Sequence, residues 1–484
     1  MLRFRTLVIG GALLALVGCG GSSGGEGAKA PKNPGTKKTA SGMVVDAEAQ
    51  SDYEAALSDF LAADKSGDWS SCGPIAEQFL KAARRQKSAT NKSFPEAIYN
   101  AGLAYQRCNK DDKAREQFEL AVKVDPKFHR ARAQLALFDY AKSGDVNRTI
   151  GQLSEIIRDA KFQNAEALVA VAALQMERGS DDADQDGAND FERALKNLQR
   201  ALAIDDAFMP AFNQLAIFYL ERARAQAGAE RKGRRRGLVV SGAEGVDINQ
   251  QQLDLAALVA SQAMRKNPNY APIHNTAGLI MVELKDFNGA VKSFGKARAL
   301  NPKFFEAHMN YGAVNLSFRG FGEAEKAYRA ALKLEPKEYE AHLGLALAIR
   351  GQINDANFDE YVKLAQKSLD KAKQLDPSRP ETYYNEAILT QEYKAKGSED
   401  KAVPMLEAAA RLYQEFIAKA GDKKVYAEAV KRSKDRSQDI TDMVKFIKEG
   451  QAAAAASAAQ NRAAKKKDEK KDEKKDEKKD DQKK

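Results

Sequence analysis

The sequence predicts an all-α fold, a superhelical solenoid of about nine helix-turn-helix repeats, and three observations carry that prediction. Glycine and proline are scarce, at 33 and 13 of 484 residues, and aromatics make up only 8%. Such a composition favours helix over many short strands. Residues 270–302 (YAPIHNTAGLIMVELKDFNGAVKSFGKARALNP) and 301–336 (NPKFFEAHMNYGAVNLSFRGFGEAEKAYRAALKLEP) align at a spacing of 34. Five positions recur at that spacing: Gly278 and Gly312, Ala290 and Ala324, Phe294 and Tyr328, Ala297 and Ala331, Pro302 and Pro336.

The chain begins with the form of a secretion signal, residues 1–18. Arg3 and Arg5 supply a positive start, and Leu7 to Val17 form an eleven-residue apolar core. That core is too short to cross a hydrocarbon layer of roughly 30 Å as a helix. The segment ends Leu16-Val17-Gly18-Cys19, which resembles the lipobox of bacterial lipoproteins. The resemblance implies cleavage before Cys19 and a covalent lipid on that residue; the alternative is a soluble secreted protein with an incidental cysteine. Several acyl chains anchor firmly where one would be marginal. Gly20 stands where enterobacterial inner-membrane lipoproteins usually carry Asp, which points to the outer membrane. Residues 19–45 are rich in Gly and Ser and lack apolar periodicity, so they read as a flexible tether.

Residues 46–410 hold the repeats. Gly102, Ala114, Phe118, Ala121 and Pro126 repeat the five-position pattern without gaps. The pattern is that of the tetratricopeptide repeat, a helix-turn-helix unit of about 34 residues. Starts fall near residues 46, 95, 129, 165, 209, 271, 305, 339 and 380. Small residues at positions 8 and 20 let the two helices of a repeat approach closely, and the aromatic at 24 packs against its neighbours. The closing proline ends the second helix because it cannot continue the hydrogen-bond ladder.

In such repeats the first helix lines a partner-binding groove. Position 9 gives Leu103, Leu137, Ile217, Leu279 and Leu347. Position 5 gives Tyr99, Asn213, Asn275, Met309, Leu343 and Tyr384. An aliphatic groove with scattered amides and tyrosines suits an amphipathic helix or an extended peptide. The alternative is that part of this row is internal core, covered by the chain's own C-terminal helix.

Two repeats are split between their helices, by an acidic loop near 178–192 and by an insert near 222–250 holding RKGRRRG. Insertions of this kind emerge as surface loops. The insert's charge could attract lipid headgroups, cell-wall polymer or an acidic partner; nucleic acid is not expected outside the cytoplasm. Residues 411–450 read as capping helices and 451–484 as a disordered tail, Ala-rich and then built of Lys, Asp and Glu. Its last twenty residues carry eleven lysines against eight acids, close to balance.

Little here suggests catalysis. His274, His308 and His342 share one repeat position, 34 residues apart, and neighbouring helices roughly 8–10 Å apart cannot share a metal held at about 2.1 Å. No nucleophile elbow or phosphate loop is present, so the chain reads as non-enzymatic and without cofactors beyond the lipid. Cys72 and Cys108 fall near equivalent turns of the first two repeats, and an exported chain is in a disulfide-permissive compartment, so a bridge between them is expected. Asp182, Asp184, Asp186 and Asp190 fall at positions one, three, five and nine of a calcium loop, with Gly187 at six. Position twelve is Arg193, with Glu192 one step early, so the loop is a partial match and a solvated acidic loop is the alternative.

The whole arrangement resembles the tetratricopeptide-repeat lipoproteins of the myxobacterial adventurous-gliding machinery. That resemblance implies a protein scaffold at the outer membrane, facing the periplasm and binding other proteins of an envelope complex. A pilotin-like lipoprotein for pilus or outer-membrane-protein assembly, and an activator of cell-wall enzymes using the basic insert, are the alternatives.

Overall fold

The computed structural model describes residues 43–66, 68–184, 187–225, 248–396 and 402–480. The signal segment, Cys19, the tether, Asp186 and the RKGRRRG insert lie outside the described residues.

Helices follow one another in pairs. The first pair is α1 (Ala47–Ser66) with α2 (Cys72–Thr90), the second α3 (Pro95–Arg107) with α4 (Asp111–Val124). Next come α5 (His129–Ser143) with α6 (Val146–Asp159), and α7 (Ala165–Arg178) with α8 (Asp190–Ile204). They are followed by α9 (Met209–Ala225) with α10 (Gln250–Lys266), and α11 (Ala271–Glu283) with α12 (Phe287–Leu300). The last three pairs are α13 (Phe305–Ser317) with α14 (Phe321–Leu334), α15 (Tyr339–Arg350) with α16 (Phe358–Leu375), and α17 (Pro380–Leu389) with α18 (Ala402–Ala420). A π-turn, Thr390–Lys394, prolongs α17, and a single long helix, α19 (Ala427–Asp480), closes the chain. Contacts divide the protein into two compact units, Met1–Tyr311 and Gly312–Lys484.

Local chemistry explains where the helices stop and start. Asn109, Lys285 and Arg319 adopt left-handed φ values of 56°, 60° and 59° at the same place after the first helix of a pair. The residue after each donates back to the helix, Lys110 N–H to the Tyr105 carbonyl, Asp286 to Met281 and Gly320 to Asn315. This satisfies carbonyls that the helix end would leave unpaired. Between pairs, Asp125, Asp205, Asn267, Asn301 and Asp376 each accept the backbone N–H two residues on, at 2.9–3.1 Å. An Asx turn of this kind redirects the chain in two residues.

Packing within a pair rests on a ring lying where a side chain is missing. A Cβ added to Gly102 would come within 2.5 Å of the Phe118 ring. In the second unit the Tyr328 ring is clasped on two sides, since a Cβ would meet it at 2.9 Å from Gly312 and at 2.3 Å from Gly344. Glycine is therefore required by contact here, not by backbone conformation.

Toward the C-terminus, α18 runs through residue 410 to Ala420, followed by Gly421 in the left-handed region (φ 55°). The last helix, α19, spans 54 residues as far as Asp480. Ala, Lys and Glu are strong helix formers, so a sequence with no core to bury still has a local preference for helix.

Candidate functional site

The inward faces of the first helices of the pairs are the expected groove. In the first unit three of them close on one another. α3 is buried continuously from Pro95 to Tyr105 and α7 from Ala165 to Met176. The Tyr99 hydroxyl donates to Glu166 Oε2 at 2.8 Å, across 67 residues of sequence. Arg130 Nη2 donates to Glu166 Oε1 at 2.6 Å, and the Arg130 guanidinium lies 4.7 Å from the centre of the Tyr99 ring. Tyr99, Leu103 and Leu137 are consequently core residues, 0%, 8% and 8% exposed, and not part of an open groove. Burial pushes the Tyr99 phenol well above its ordinary value.

Further along, the inward face opens. Ile217, Leu279 and Met309 are half-buried in the first unit, and Leu343, Leu347 and Tyr384 are half-buried in the second. The amides of this row do not face a ligand; they tie repeats together. Asn213 Oδ1 accepts from the Thr276 hydroxyl at 2.7 Å, and Asn275 Oδ1 accepts from Asn310 Nδ2 at 2.9 Å. Each bond joins position 5 of one pair to position 6 of the next, a regularity the sequence contains but that spacing alone does not show. What remains accessible is an aliphatic and aromatic strip.

Residues 95–128, α3 and α4 with the turn that follows them, match the family model of the tetratricopeptide repeat. That segment is a tetratricopeptide repeat. No curated protein matches the chain. Among solved structures the chain is similar to a thermophilic tetratricopeptide-repeat protein of Thermus thermophilus, at 23% identity over 46% of this chain and 99% of that one, with a TM-score of 0.36. It is also similar to a tetratricopeptide-repeat protein of Parabacteroides merdae (15% identity, 63% and 98% covered, TM-score 0.37) and to PilF of Pseudomonas aeruginosa (18%, 52% and 96%, TM-score 0.36). Tetratricopeptide repeats typically act as non-catalytic scaffolds that bind proteins or peptides.

In the acidic loop that splits the fourth pair, an arginine lies among the described acidic residues. Arg193, 4% exposed, donates through Nη1 to the carbonyls of Asp182 (2.9 Å) and Gly187 (3.1 Å) and through Nη2 to Asp190 Oδ1 (2.9 Å). Asp184 pairs with the same guanidinium at 3.1 Å. Asp190 is fully buried and also receives Arg178 in a two-pronged contact at 2.6 and 2.7 Å. Burial opposes its ionisation, but the hydrogen bonds from Arg178 and Arg193 outweigh that and hold its pKa low. Glu192 accepts the Ala188 N–H instead of turning inward, and Asp182 accepts from the Ser180 hydroxyl. Of the residues expected in a calcium loop, Asp182, Asp184 and Asp190 thus meet the Arg193 guanidinium, and Asp186 lies outside the described residues.

Cys72, at the start of α2, and Cys108, at the end of α3, form a disulfide with Cα atoms 5.7 Å apart. Around it Arg107 pairs with Asp64 at 3.0 Å and lies over the Trp69 ring at 5.2 Å.

The three equivalent histidines act as latches between tetratricopeptide repeats. Nε2 of His274, His308 and His342 lies 2.8, 2.9 and 3.0 Å from the carbonyl oxygens of Pro268, Pro302 and Pro336. A carbonyl only accepts, so Nε2 carries the proton. Tyr383 makes the same contact through its hydroxyl to the Pro377 carbonyl at 3.0 Å. Burial pushes all three imidazoles below their ordinary value, against a smaller raising effect of the carbonyl. The folded state therefore binds fewer protons than the unfolded chain just below pH 6.5, and stability falls as pH falls through that window. Urea midpoints should hold steady from pH 8 to about 6.5 and drop toward pH 5. The triple variant His274→Gln, His308→Gln, His342→Gln should flatten most of that drop, with His129, also shifted down by burial, carrying the remainder.

Proposed function

We propose that this protein is a lipid-anchored, non-catalytic scaffold of a cell-envelope machine, held at the outer membrane with its helical pairs facing the periplasm, and that the machine is the gliding-motility apparatus of myxobacteria. The observation that carries the scaffold reading is that each unit by itself leaves an apolar strip accessible on its inner helices: Ile217 and Leu279 in the first unit, Leu343, Leu347 and Tyr384 in the second. Such a strip receives the apolar face of a partner helix or the alternate side chains of an extended peptide. The Leu16-Val17-Gly18-Cys19 segment supports the anchor, and the repeats ahead of a Lys/Asp/Glu-rich end support the gliding assignment by resemblance.

Membrane attachment rests on one residue. Cys19→Ala should leave the helical content unchanged and move the protein from the membrane to the soluble fraction after cell lysis. Retention in the membrane would overturn the lipid anchor. For the scaffold, a photo-crosslinking residue at 279 or 347 should join the protein in living cells to the same few envelope proteins, while one on the outward Lys333 should not. In a deletion strain, lost single-cell gliding with normal pili and outer-membrane barrels supports the gliding assignment; lost barrels or pili with normal gliding overturns it.

A further inference from the structure

The second unit contains an arginine that its surroundings do not neutralise. Arg350 ends α15 and is half-buried. Its Nη1 donates to Asn385, to Oδ1 at 3.1 Å and to the backbone carbonyl at 3.4 Å. Among the described residues no carboxylate lies within ion-pair distance of it. Other buried or half-buried arginines differ: Arg130, Arg178, Arg379 and Arg436 each hold a carboxylate, at 2.6 to 2.9 Å for Glu166, Asp190, Glu381 and Glu392. Glu392, which acts on Arg350 electrostatically, is itself paired with Arg436, and the phenols of Tyr384, Tyr393 and Tyr413 also act on Arg350. Burial accordingly pushes the Arg350 pKa down.

Placing a guanidinium in a protein interior without an anion is costly, and chains normally avoid it by pairing. The backbone beside this one is also irregular. α17 passes into the π-turn Thr390–Lys394, with Ala395 N–H bonding the Thr390 carbonyl at 3.0 Å. Single π-turns inside α-helices recur at functional sites. Here the turn carries Gln391 and Glu392, which anchor Arg436 of α19 and the Tyr413 hydroxyl of α18. Arg350 thus bonds α17 at Asn385, five residues before this turn.

Its own helix supplies the rest of a recognition surface. Leu343, Leu347 and Arg350 are spaced i, i+4, i+7, which puts them in one stripe about 10 Å long. The two leucines are half-buried, as is Tyr384 on α17, the helix that Arg350 bonds. We propose that this stripe binds a partner peptide whose acidic side chain pairs with Arg350 while apolar residues beside it cover Leu343, Leu347 and Tyr384. This deepens the scaffold reading and rests on it. The carboxylate would supply the anion the fold lacks, through a charge-assisted bond to the guanidinium's remaining N–H groups.

Random 12-residue peptides displayed with blocked ends can be selected against the full chain. Recovered peptides should share one Asp or Glu at a fixed distance from Leu, Ile or Phe. Measured by fluorescence anisotropy, their affinity should fall at least tenfold on Arg350→Gln, recover in part with Arg350→Lys, and fall by the same factor when the peptide's acid becomes its amide, with no further loss when both changes are combined. The ligand-free Arg350→Gln protein should be as stable in urea as the parent or more so; a clear loss of stability would mark Arg350 as a purely structural residue and overturn the proposal. Binders with no acidic preference, or with unchanged affinity for Arg350→Gln, overturn this inference and leave the scaffold reading standing. Binders that require a free C-terminal carboxylate overturn the assignment to a side chain. Failure to recover any peptide that protects Leu343 and Leu347 overturns the scaffold reading and this inference together.

Discussion

Glu166→Ala should destabilise the first unit by about 3–5 kcal/mol, the cost expected when one member of a buried ion pair is removed and its partner stays behind. Glu166 is 3% exposed and accepts from both Tyr99 and Arg130. Without it the Arg130 guanidinium, whose side chain is 21% exposed, loses its carboxylate, and the fully buried Tyr99 hydroxyl loses the acceptor of its short bond. Burial alone would push the Arg130 pKa down; the Glu166 carboxylate reverses that and offsets the cost of burying the charge. The loss should appear as a lower urea midpoint, and as faster hydrogen exchange in α3, α5 and α7 while α11 and α12 exchange as before, because repeat arrays lose stability locally. It should change little between low and high salt, since the pair is shielded from counterions. Removing both charges together, Glu166→Leu with Arg130→Met, should recover most of the loss, as buried pairs replaced by apolar side chains commonly do. Equal instability of the single and double variants would mean that the closure of these three helices depends on the charges themselves.

The contrast between this cluster and the glycine–ring contacts shows which part of the structure is legible in the sequence. Gly102 meets Phe118 and Gly312 meets Tyr328 inside one period, so the small residue and the ring appear at fixed offsets and repeat. The histidines that reach a proline carbonyl recur at one spacing, yet their role needs coordinates, because a histidine on a helix gives no sign of which carbonyl it reaches. Tyr99, Arg130 and Glu166 stand in three different repeats, Tyr99 at position 5 and the other two at position 2. Whether such residues line an open groove or seal it depends on how closely the inner helices approach, a property of many small packing choices and of no single spacing. Arg193 reads in the sequence as the flaw in a calcium loop, when its guanidinium is what the loop is built around. Arg350 stands at position 12 of its repeat, an inward position, but nothing in a sequence says that an arginine lacks a carboxylate nearby, and the π-turn beside it carries no composition of its own. The segment beyond residue 450 has no core to bury, and its Ala, Lys and Glu residues carry only a local preference for helix.

Breaking the Cys72–Cys108 bridge should cost the first pair about 4 kcal/mol, the loop-closure estimate for the 36-residue separation of the two cysteines. α1 and α2 are the pair most exposed to this loss. Among the described residues the pair packs mainly on α3, and a pair with fewer neighbouring repeats gains less interface energy. Their core is nonetheless well formed, with Tyr53, Phe60, Trp69 and Phe79 in edge and tilted ring contacts, so the loss should loosen the pair without unravelling the array. Cys72→Ala with Cys108→Ala should therefore raise hydrogen exchange in α1 and α2 and make the turn near Trp69 a protease site, with α7 to α12 unchanged. The Asp64–Arg107 pair across the same turns will soften the effect only slightly, because exposed pairs contribute little. The bond also reports on location. Disulfides persist in oxidising compartments and not in the cytosol, so chains carrying the first eighteen residues should be isolated with Cys72 and Cys108 joined, and chains lacking them should be isolated as free thiols with a protease-sensitive first pair. This test of export makes no use of the lipid on Cys19. Free thiols in protein recovered from the envelope would separate the two readings, leaving the fold intact and removing the support that the cysteines give to export.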